Sequence, residues 1–178
     1  MRKFVIGFGV ILLLVLSIPI FLLASGTTDS SSLRILLNSM AGVSGPEANS
    51  EIVRQQYKVP DGFTLELYEA NLPRARFLLF TPSGDLLVSR PYSGDIVLLR
   101  RDKDGDGSPD ARATLIDGLE RPLGMDISGD WLYIAESNRV SRIRFDSGTG
   151  TVDGELQPIL EDLTDNGNHW SKTIRIGQ

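Results

Sequence analysis

The part of the chain that follows residue 70 repeats one pattern of short apolar runs separated by polar turns. The first copy has its apolar runs at 77–80, 86–89 and 96–99, and the second copy has them at 123–127, 131–134 and 140–145. Both copies contain a Ser-Gly-Asp turn, and the two turns begin 45 residues apart, at Ser83 and Ser128. A period of this length is typical of units of four short strands, such as the blades of a propeller. The pattern therefore predicts an all-β fold built from propeller blades.

The first 25 residues have the pattern of a membrane anchor or a signal peptide. Arg2 and Lys3 precede an apolar run from Phe4 to Ala24. As a helix this run would extend about 31 Å, at about 1.5 Å per residue, which is enough to cross a hydrocarbon core. The small residues around Ser25 are also suited to signal cleavage. We therefore expect either an extracytoplasmic domain tethered to the cell membrane, or a secreted or periplasmic protein if the segment is cleaved.

The remaining chain divides into a predicted spacer, residues 26–56, and a predicted folded domain, residues 57–178. The spacer is rich in Ser, Thr, Gly and Asn, although a strand or helix docked on the propeller edge is the alternative. Pro60-Asp61-Gly62 indicates a turn, and the apolar and polar alternation over 63–68 predicts a half-buried strand.

The predicted domain is too short for a closed propeller. Its 122 residues (57 to 178) correspond to about two to three blades at about 45 residues each, whereas closed propellers have about four or more. An open fan would expose blade faces and strand edges to water. We therefore expect a fragment, a truncated product or one piece of an assembly.

Composition excludes several classes of function. The net charge of −5 argues against a general nucleic-acid binder, since such proteins need a basic face. The chain has no cysteine, which excludes thiolate metal sites, thiol nucleophiles and disulfides.

The loop between the two copies has carboxylates at alternating positions and predicts a calcium site. The candidate ligands are Asp102, Asp104, Asp106, Ser108 and Asp110. Alternate Asp side chains converge on one hard cation, and Gly107 permits the sharp turn that such a loop needs. Ala113 stands where an EF-hand has its bidentate Glu, and the flanks resemble strands, so we expect a loop that clasps two strands. The alternative is a solvated acidic turn.

His169 is the only histidine and lies in a polar loop before an alternating stretch at 173–176, which predicts a strand. A histidine can accept a proton near neutral pH, so His169 is eligible as a general base. A lone loop histidine is, however, more often merely solvated. For the adjacent Trp170, a packing role is favoured over a role as a sugar platform.

Three segments, 71–90, 118–134 and 168–171, resemble the amino-terminal part of the glucose/sorbosone dehydrogenase family. The resemblance covers about residues 57–178. It implies a six-bladed β-propeller, and characterised members use pyrroloquinoline quinone (PQQ) to oxidise sugars outside the cytoplasm. In that family a histidine before such a strand takes the proton from the sugar hydroxyl, and His169 matches its position.

The same resemblance implies a polar cofactor or substrate contact in the loop at 118–124. Leu119 and Leu123 supply no polar group there, and Arg121 is the candidate substitute, although a salt bridge is the commoner role of such a residue. In the family the groups that hold the quinone and its calcium come from later blades. The Asp102–Asp110 loop would therefore be a separate structural site.

The repeat predicts a partial all-β propeller preceded by one transmembrane or signal helix, and the resemblance implies that the propeller is a six-bladed β-propeller. The expected function is that of part of an exported PQQ-dependent sugar dehydrogenase with His169 as general base, inactive alone and with an unknown electron acceptor. Its expected cofactors are PQQ and Ca²⁺, and its expected partners are a sugar and the membrane, not nucleic acid. The alternative is a noncatalytic, calcium-stabilised extracellular propeller that acts as a binding scaffold.

Overall fold

The computed structural model describes residues 49–167 and 169–177, which form two antiparallel four-stranded sheets. The first sheet consists of β1 (Phe77–Phe80), β2 (Leu86–Arg90), β3 (Asp95–Arg100) and β4 (Ala111–Ile116), in that order. The second consists of β5 (Met125–Ser128), β6 (Trp131–Ala135), β7 (Val140–Asp146) and β8 (Thr151–Leu160), again in chain order. These sheets confirm the all-β fold class and the four-stranded units predicted from the repeat.

One helix, α1 (Ser50–Gln56), precedes the sheets within the described residues. The Asn49 side chain caps it by accepting a hydrogen bond from the Ile52 N–H at 2.9 Å, and none of its residues is buried. The helix lies in the predicted spacer, whose composition did not indicate it. The predicted anchor, residues 1–25, lies outside the described residues, and no helix inside them is long and apolar enough to cross a membrane.

The main core lies between the two sheets, where β1 contacts β5 and β4 contacts β8. Its buried members are Leu87, Ile96, Leu98, Leu119, Met125, Leu132, Ile134, Ile143 and Phe145. Except for Leu119, which lies between β4 and β5, they come from alternate positions of the strands, because successive side chains of a strand point to opposite faces. Burial of these side chains is the main force that holds the two sheets together.

The other face of the first sheet is also apolar. Leu86 and Val88 are buried on it, with partial cover from Tyr68 and Leu72. Phe80 lies on the same face but is 71% exposed. The predicted strand over 63–68 is wrong, because within the described residues this segment pairs with no neighbouring strand.

Each sheet closes its second hairpin with an ion pair, and the two pairs have opposite polarity. Arg90 on β2 pairs with Asp95 on β3, whereas Glu136, directly after β6, pairs with Arg139, directly before β7. The two ion pairs occupy equivalent hairpins, so they can be used to match the residues of one sheet with those of the other. Val88 lies two residues before Arg90, and Ile134 lies two residues before Glu136 (90 − 88 = 2; 136 − 134 = 2). On the neighbouring strand Val88 is paired with Leu78, and Ile134 is paired with Met125. Leu78 therefore corresponds to Met125.

Candidate functional site

Four large side chains stack at the end of the sheets where β2 turns into β3. The Arg74 guanidinium lies 5.0 Å from the centre of the Tyr92 ring, and that of Arg121 lies 5.9 Å from the centre of the Trp170 ring. The rings of Tyr92 and Trp170 meet edge to face, with centres 6.1 Å apart at 71°. The four side chains form a continuous row of cation, ring, ring and cation, which we call the Arg-aromatic row.

Both arginines of this row have a left-handed backbone. The φ angle of Arg74 is 61° and that of Arg121 is 50°. The only other non-glycine residue with positive φ in the described residues is Asp162. This conformation costs a residue with a Cβ about 1–2 kcal/mol, and such outliers cluster at functional sites.

An open cleft of about 330 Å³ adjoins the row. Its lining residues are Pro91, Tyr92, Ser93, Gly94, Leu119, Glu120 and Arg121. The Glu120 carboxylate lies 3.7 Å from Arg121, and with side chains 55% and 47% exposed this contact contributes little stability. Leu119 supplies no polar contact, and its side chain is buried in the core between the sheets. Arg121 is therefore the remaining candidate for the polar contact predicted in the loop at 118–124.

His169 directly precedes Trp170 of the row in the chain, and its side chain is exposed. The His169 N–H donates to the Asn166 carbonyl at 3.4 Å. The Lys172 ammonium donates to the carbonyls of Thr164 at 2.8 Å and His169 at 2.9 Å. Because one ammonium joins both sides of the loop, the backbone that carries His169 is held in a closed turn.

The segment after His169 is fixed against β5 without becoming a strand. The Gly124 N–H donates to the Lys172 carbonyl at 3.1 Å, and the Ile176 N–H donates to the Asp126 carboxylate at 2.8 Å. Arg175 lies 3.2 Å from the same carboxylate. The predicted strand at 173–176 is wrong, because side-chain contacts replace the backbone ladder that a strand requires.

Three of the five predicted calcium ligands come together. Carboxylate oxygens of Asp102, Asp104 and Asp106 all lie within 4.8 Å of one another. Asp102 also accepts hydrogen bonds from the N–H groups of Gly107 at 2.9 Å and Gly105 at 2.6 Å. These backbone hydrogen bonds lower the pKa of Asp102.

The other two predicted ligands are not part of this group. Ser108 donates its N–H to Asp106 at 2.8 Å, and Asp110 accepts the Lys103 N–H at 3.1 Å. An unpredicted carboxylate, Glu66, lies beside the loop, since a Cβ at Gly107 would be 3.5 Å from its Oε2. Strands β3 and β4 flank the loop, as expected from the sequence.

Tyr68 also belongs to the surroundings of the acidic loop. Burial raises the pKa of the Tyr68 hydroxyl, a hydrogen bond donated by the Asp102 backbone N–H lowers it, and the negative charges of Asp102, Asp110 and Asp85 raise it further.

Sequence reasoning missed two members of the Arg-aromatic row, Arg74 and Tyr92. An arginine in a left-handed conformation has no signature of its own, because glycine or asparagine is the residue expected there. The one available signal was the repeat itself, which places Arg74 and Arg121 at corresponding positions (78 − 74 = 4; 125 − 121 = 4).

A family model and two solved structures of related proteins match the chain. The family model described as TrAA12-like matches residues 57–178. Two solved structures of the Carbohydrate-Active Enzymes Family AA12 protein of Trichoderma reesei, an iodide and a calcium structure, are 29% identical to the chain, with TM-scores of 0.56 and 0.55. Each alignment covers 64% of this chain and 29% of the other.

A third solved structure shares the fold. The holo form of the PQQ domain of pyranose dehydrogenase from Coprinopsis cinerea is 19% identical, with a TM-score of 0.50 over 58% of this chain and 24% of that one. No curated protein sequence matches the chain. The chain thus spans less than a third of the length of these solved relatives. These matches confirm the predicted resemblance to PQQ-dependent sugar dehydrogenase-like proteins, and because the family model covers 57–178, the chain belongs to the TrAA12-like family.

Proposed function

We propose that residues 57–178 form two blades of a six-bladed propeller domain that oxidises sugars with PQQ as cofactor. The observation that carries this proposal is the family match over the whole described repeat, in which the His169 loop is included. The solved relatives support it, since one is named a carbohydrate-active enzyme and another a PQQ domain. The complete reaction belongs to a complete propeller, of which these sheets supply one part.

The arrangement of the sheets supports their assignment as blades. Both have their four strands in chain order, and the first strands (β1, β5) and the last strands (β4, β8) of the two sheets contact each other. The face of the first sheet that is turned away from the second is apolar, as expected where a propeller packs a neighbouring blade.

In this proposal His169 is the general base. A neutral imidazole accepts the proton of the sugar hydroxyl, and the exposed side chain leaves it accessible to substrate. Lys172 positions the base by fixing the backbone of the loop. The quinone, when bound, supplies the acceptor for the two electrons of the oxidation.

The residues next to His169 suit a flat, carboxylated cofactor. Arg121 offers a guanidinium that pairs with carboxylates, and Trp170 offers a ring for stacking. We assign Arg121 as a cofactor contact on this chemistry.

The Asp102–Asp110 loop is proposed as a structural calcium site. Three converging carboxylates match the hard oxygen ligands that Ca²⁺ prefers, and Glu66 adds a fourth negative group from a different segment. A cation here would join the β3–β4 connection to the segment that covers the first sheet.

Residues 1–25 are proposed to export the chain, as an uncleaved anchor or a cleaved signal. The domain would then work outside the cytoplasm. Fractionation of cells that express the full chain, followed by amino-terminal sequencing of the product, distinguishes the two outcomes.

A noncatalytic binding scaffold is the second candidate. Two observations favour it: Leu119 is an apolar residue buried in the core, and the Arg121 guanidinium is already in contact with Glu120. Failure of PQQ to bind the complete propeller domain would leave this candidate as the better one.

The test of the enzymatic proposal is dye reduction by the complete propeller domain with PQQ, Ca²⁺ and a panel of aldoses. His169→Ala should lower kcat by about 100-fold or more, the usual contribution of a general base. Arg54→Gln, on the exposed helix α1, should leave kcat unchanged. Unchanged turnover in His169→Ala would remove the base assignment.

A further inference from the structure

We propose that Asn166 is a site of spontaneous deamidation in the turn that leads to His169. This inference goes beyond the proposed function and depends on neither a sugar nor the quinone. Asn166 is followed by Gly167, and both residues are exposed. Asparagine is among the thermolabile residues, because its side-chain amide can react with the backbone nitrogen of the residue that follows it.

The reaction proceeds through a cyclic imide. A bond forms between the Gly167 nitrogen, which loses its proton, and the Asn166 Cγ. The bond between Cγ and Nδ2 breaks, and ammonia leaves. Water then opens the imide at one of its two carbonyl groups, which gives aspartate or isoaspartate at position 166. The net change consumes water and releases ammonia, so the step requires neither an oxidant nor a cofactor.

The turn leaves the attacking nitrogen accessible. The His169 N–H donates to the Asn166 carbonyl at 3.4 Å, so residues 166 to 169 form a turn with Asn166 first and Gly167 second. The N–H of the second residue takes no part in closing such a turn. Among the described residues no backbone hydrogen bond engages the Gly167 N–H. Solvent can therefore remove its proton.

Gly167 also lacks the group that usually obstructs this reaction. A Cβ on the residue after asparagine crowds the approach of the backbone nitrogen to the side-chain amide, and glycine has no Cβ. The φ angle of Gly167 is 62°, a conformation that glycine adopts freely. A Cβ placed at this position would have nothing within 4 Å, so the surroundings of the turn are open as well.

Two glycines of the acidic loop show the contrasting, protected arrangement. Gly105 and Gly107 each follow an aspartate, but their N–H groups donate to the Asp102 carboxylate at 2.6 Å and 2.9 Å. Attack by either nitrogen would require one of these hydrogen bonds to break. The exposed turn at Gly167 has no such requirement among the described residues.

Deamidation changes the loop that carries His169 in two ways. It places a negative charge three residues before His169 (169 − 166 = 3), where the chain has a neutral amide. Isoaspartate also inserts a methylene group into the backbone. This insertion falls inside the stretch that the Lys172 ammonium closes by donating to the carbonyls of Thr164 and His169. The aged chain therefore holds the loop in a different shape.

The experiment is incubation of the full chain in neutral and in mildly alkaline buffer, followed by proteolysis and site-resolved mass spectrometry. Deamidation replaces an amino group by a hydroxyl group, so the modified peptide is heavier. We expect Asn166 to react at least about tenfold faster than Asn71 and Asn138, which corresponds to a barrier lower by about 1.4 kcal/mol. Both comparison sites are exposed, but they precede Leu72 and Arg139. The rate should rise with pH, because the attacking nitrogen must lose its proton.

Three variants test the mechanism. Asn166→Ser removes the reacting amide and keeps a residue type that turns favour, so no mass change should occur at position 166. Gly167→Ala keeps the amide and adds the missing Cβ, so it should slow the reaction towards the rate at Asn71. Gly62→Ala is the matched control, since Gly62 also has a positive φ (87°) with nothing within 4 Å of an added Cβ. It should leave the rate at Asn166 unchanged.

Two results would overturn the proposal. One is a rate at Asn166 no faster than at Asn71 and Asn138, because the turn would then protect the amide. The other is an unchanged rate in Gly167→Ala. These measurements involve no ligand, so their failure leaves the proposed function as it stands, and failure of PQQ to bind leaves the deamidation site as it stands.

Discussion

At the scale of single residues, Gly124 shows how the position of the segment after His169 depends on the absence of one side chain. A Cβ at Gly124 would lie 2.7 Å from the Thr173 Cα and 3.0 Å from the Ile174 nitrogen. These are backbone atoms, so the segment after His169 can run along β5 only if this position is glycine. Asp126 then holds the segment through the Ile176 N–H.

Gly124→Ala should therefore displace the 172–176 segment and cost about 1–3 kcal/mol, the range for overpacking. Hydrogen exchange of the Ile176 amide should accelerate, because its bond to Asp126 is lost. Gly177→Ala is the matched control, since nothing lies within 4 Å of its added Cβ. Equal protection of Ile176 in both variants would contradict this account.

At the scale of elements, the β3–β4 connection shows a loop organised by its own backbone N–H groups. Hydrogen bonds from Gly107 and Gly105 lower the pKa of Asp102, so this carboxylate stays ionised to a lower pH than an ordinary Asp side chain. The contribution of these hydrogen bonds to the free energy of unfolding is therefore present at neutral pH, and it is lost as the pH falls through the lowered pKa of Asp102.

Millimolar Ca²⁺ should raise Tm relative to chelator, because a ligand bound to the native state alone stabilises it by about 2.7 kcal/mol at 100 times its Kd. Asp102→Asn should abolish most of this shift. Asp130→Asn, at a side chain that is 86% exposed, should retain it. An identical Tm with calcium and with chelator would leave the loop as a solvated acidic turn.

At the scale of the whole molecule, the two sheets have equivalent faces in different surroundings. Met125 is 0% exposed because it packs against the first sheet, whereas the corresponding Leu78 is 60% exposed. The pattern of apolar residues is the same on both faces, and only the second has a neighbouring sheet among the described residues.

Met125→Gln should therefore destabilise the chain by about 2–5 kcal/mol, the range for disrupting a core side chain. Leu78→Gln, at the equivalent register, should change stability by less than about 0.5 kcal/mol, as surface substitutions do. Chemical denaturation of the two variants measures both values. A cost at Leu78 as large as that at Met125 would show that the apolar face of the first sheet is covered.

The sequence alone determined the features that depend on local order. The alternation of apolar residues and the spacing of turns fixed the strands and their grouping in fours, and the alternate carboxylates placed the acidic loop between β3 and β4. The family was also accessible from the repeat and the His169 loop. The strands predicted at 63–68 and 173–176 are absent from the described residues. Alternation predicts an extended backbone, but it does not show whether a partner strand exists.

Contacts between residues that are distant in the chain could not be read from local sequence patterns. The two Ser-Gly-Asp turns match in sequence, yet Asp85 is 1% exposed and accepts the Arg101 N–H, while the Asp130 side chain is 86% exposed. The loops between the hairpin strands differ in length, five residues (81–85) against two (129–130), so the same motif meets different neighbours. Likewise Arg74, Tyr92, Arg121 and Trp170 form one row only because the sheets pack, since contacts between residues distant in sequence depend on packing.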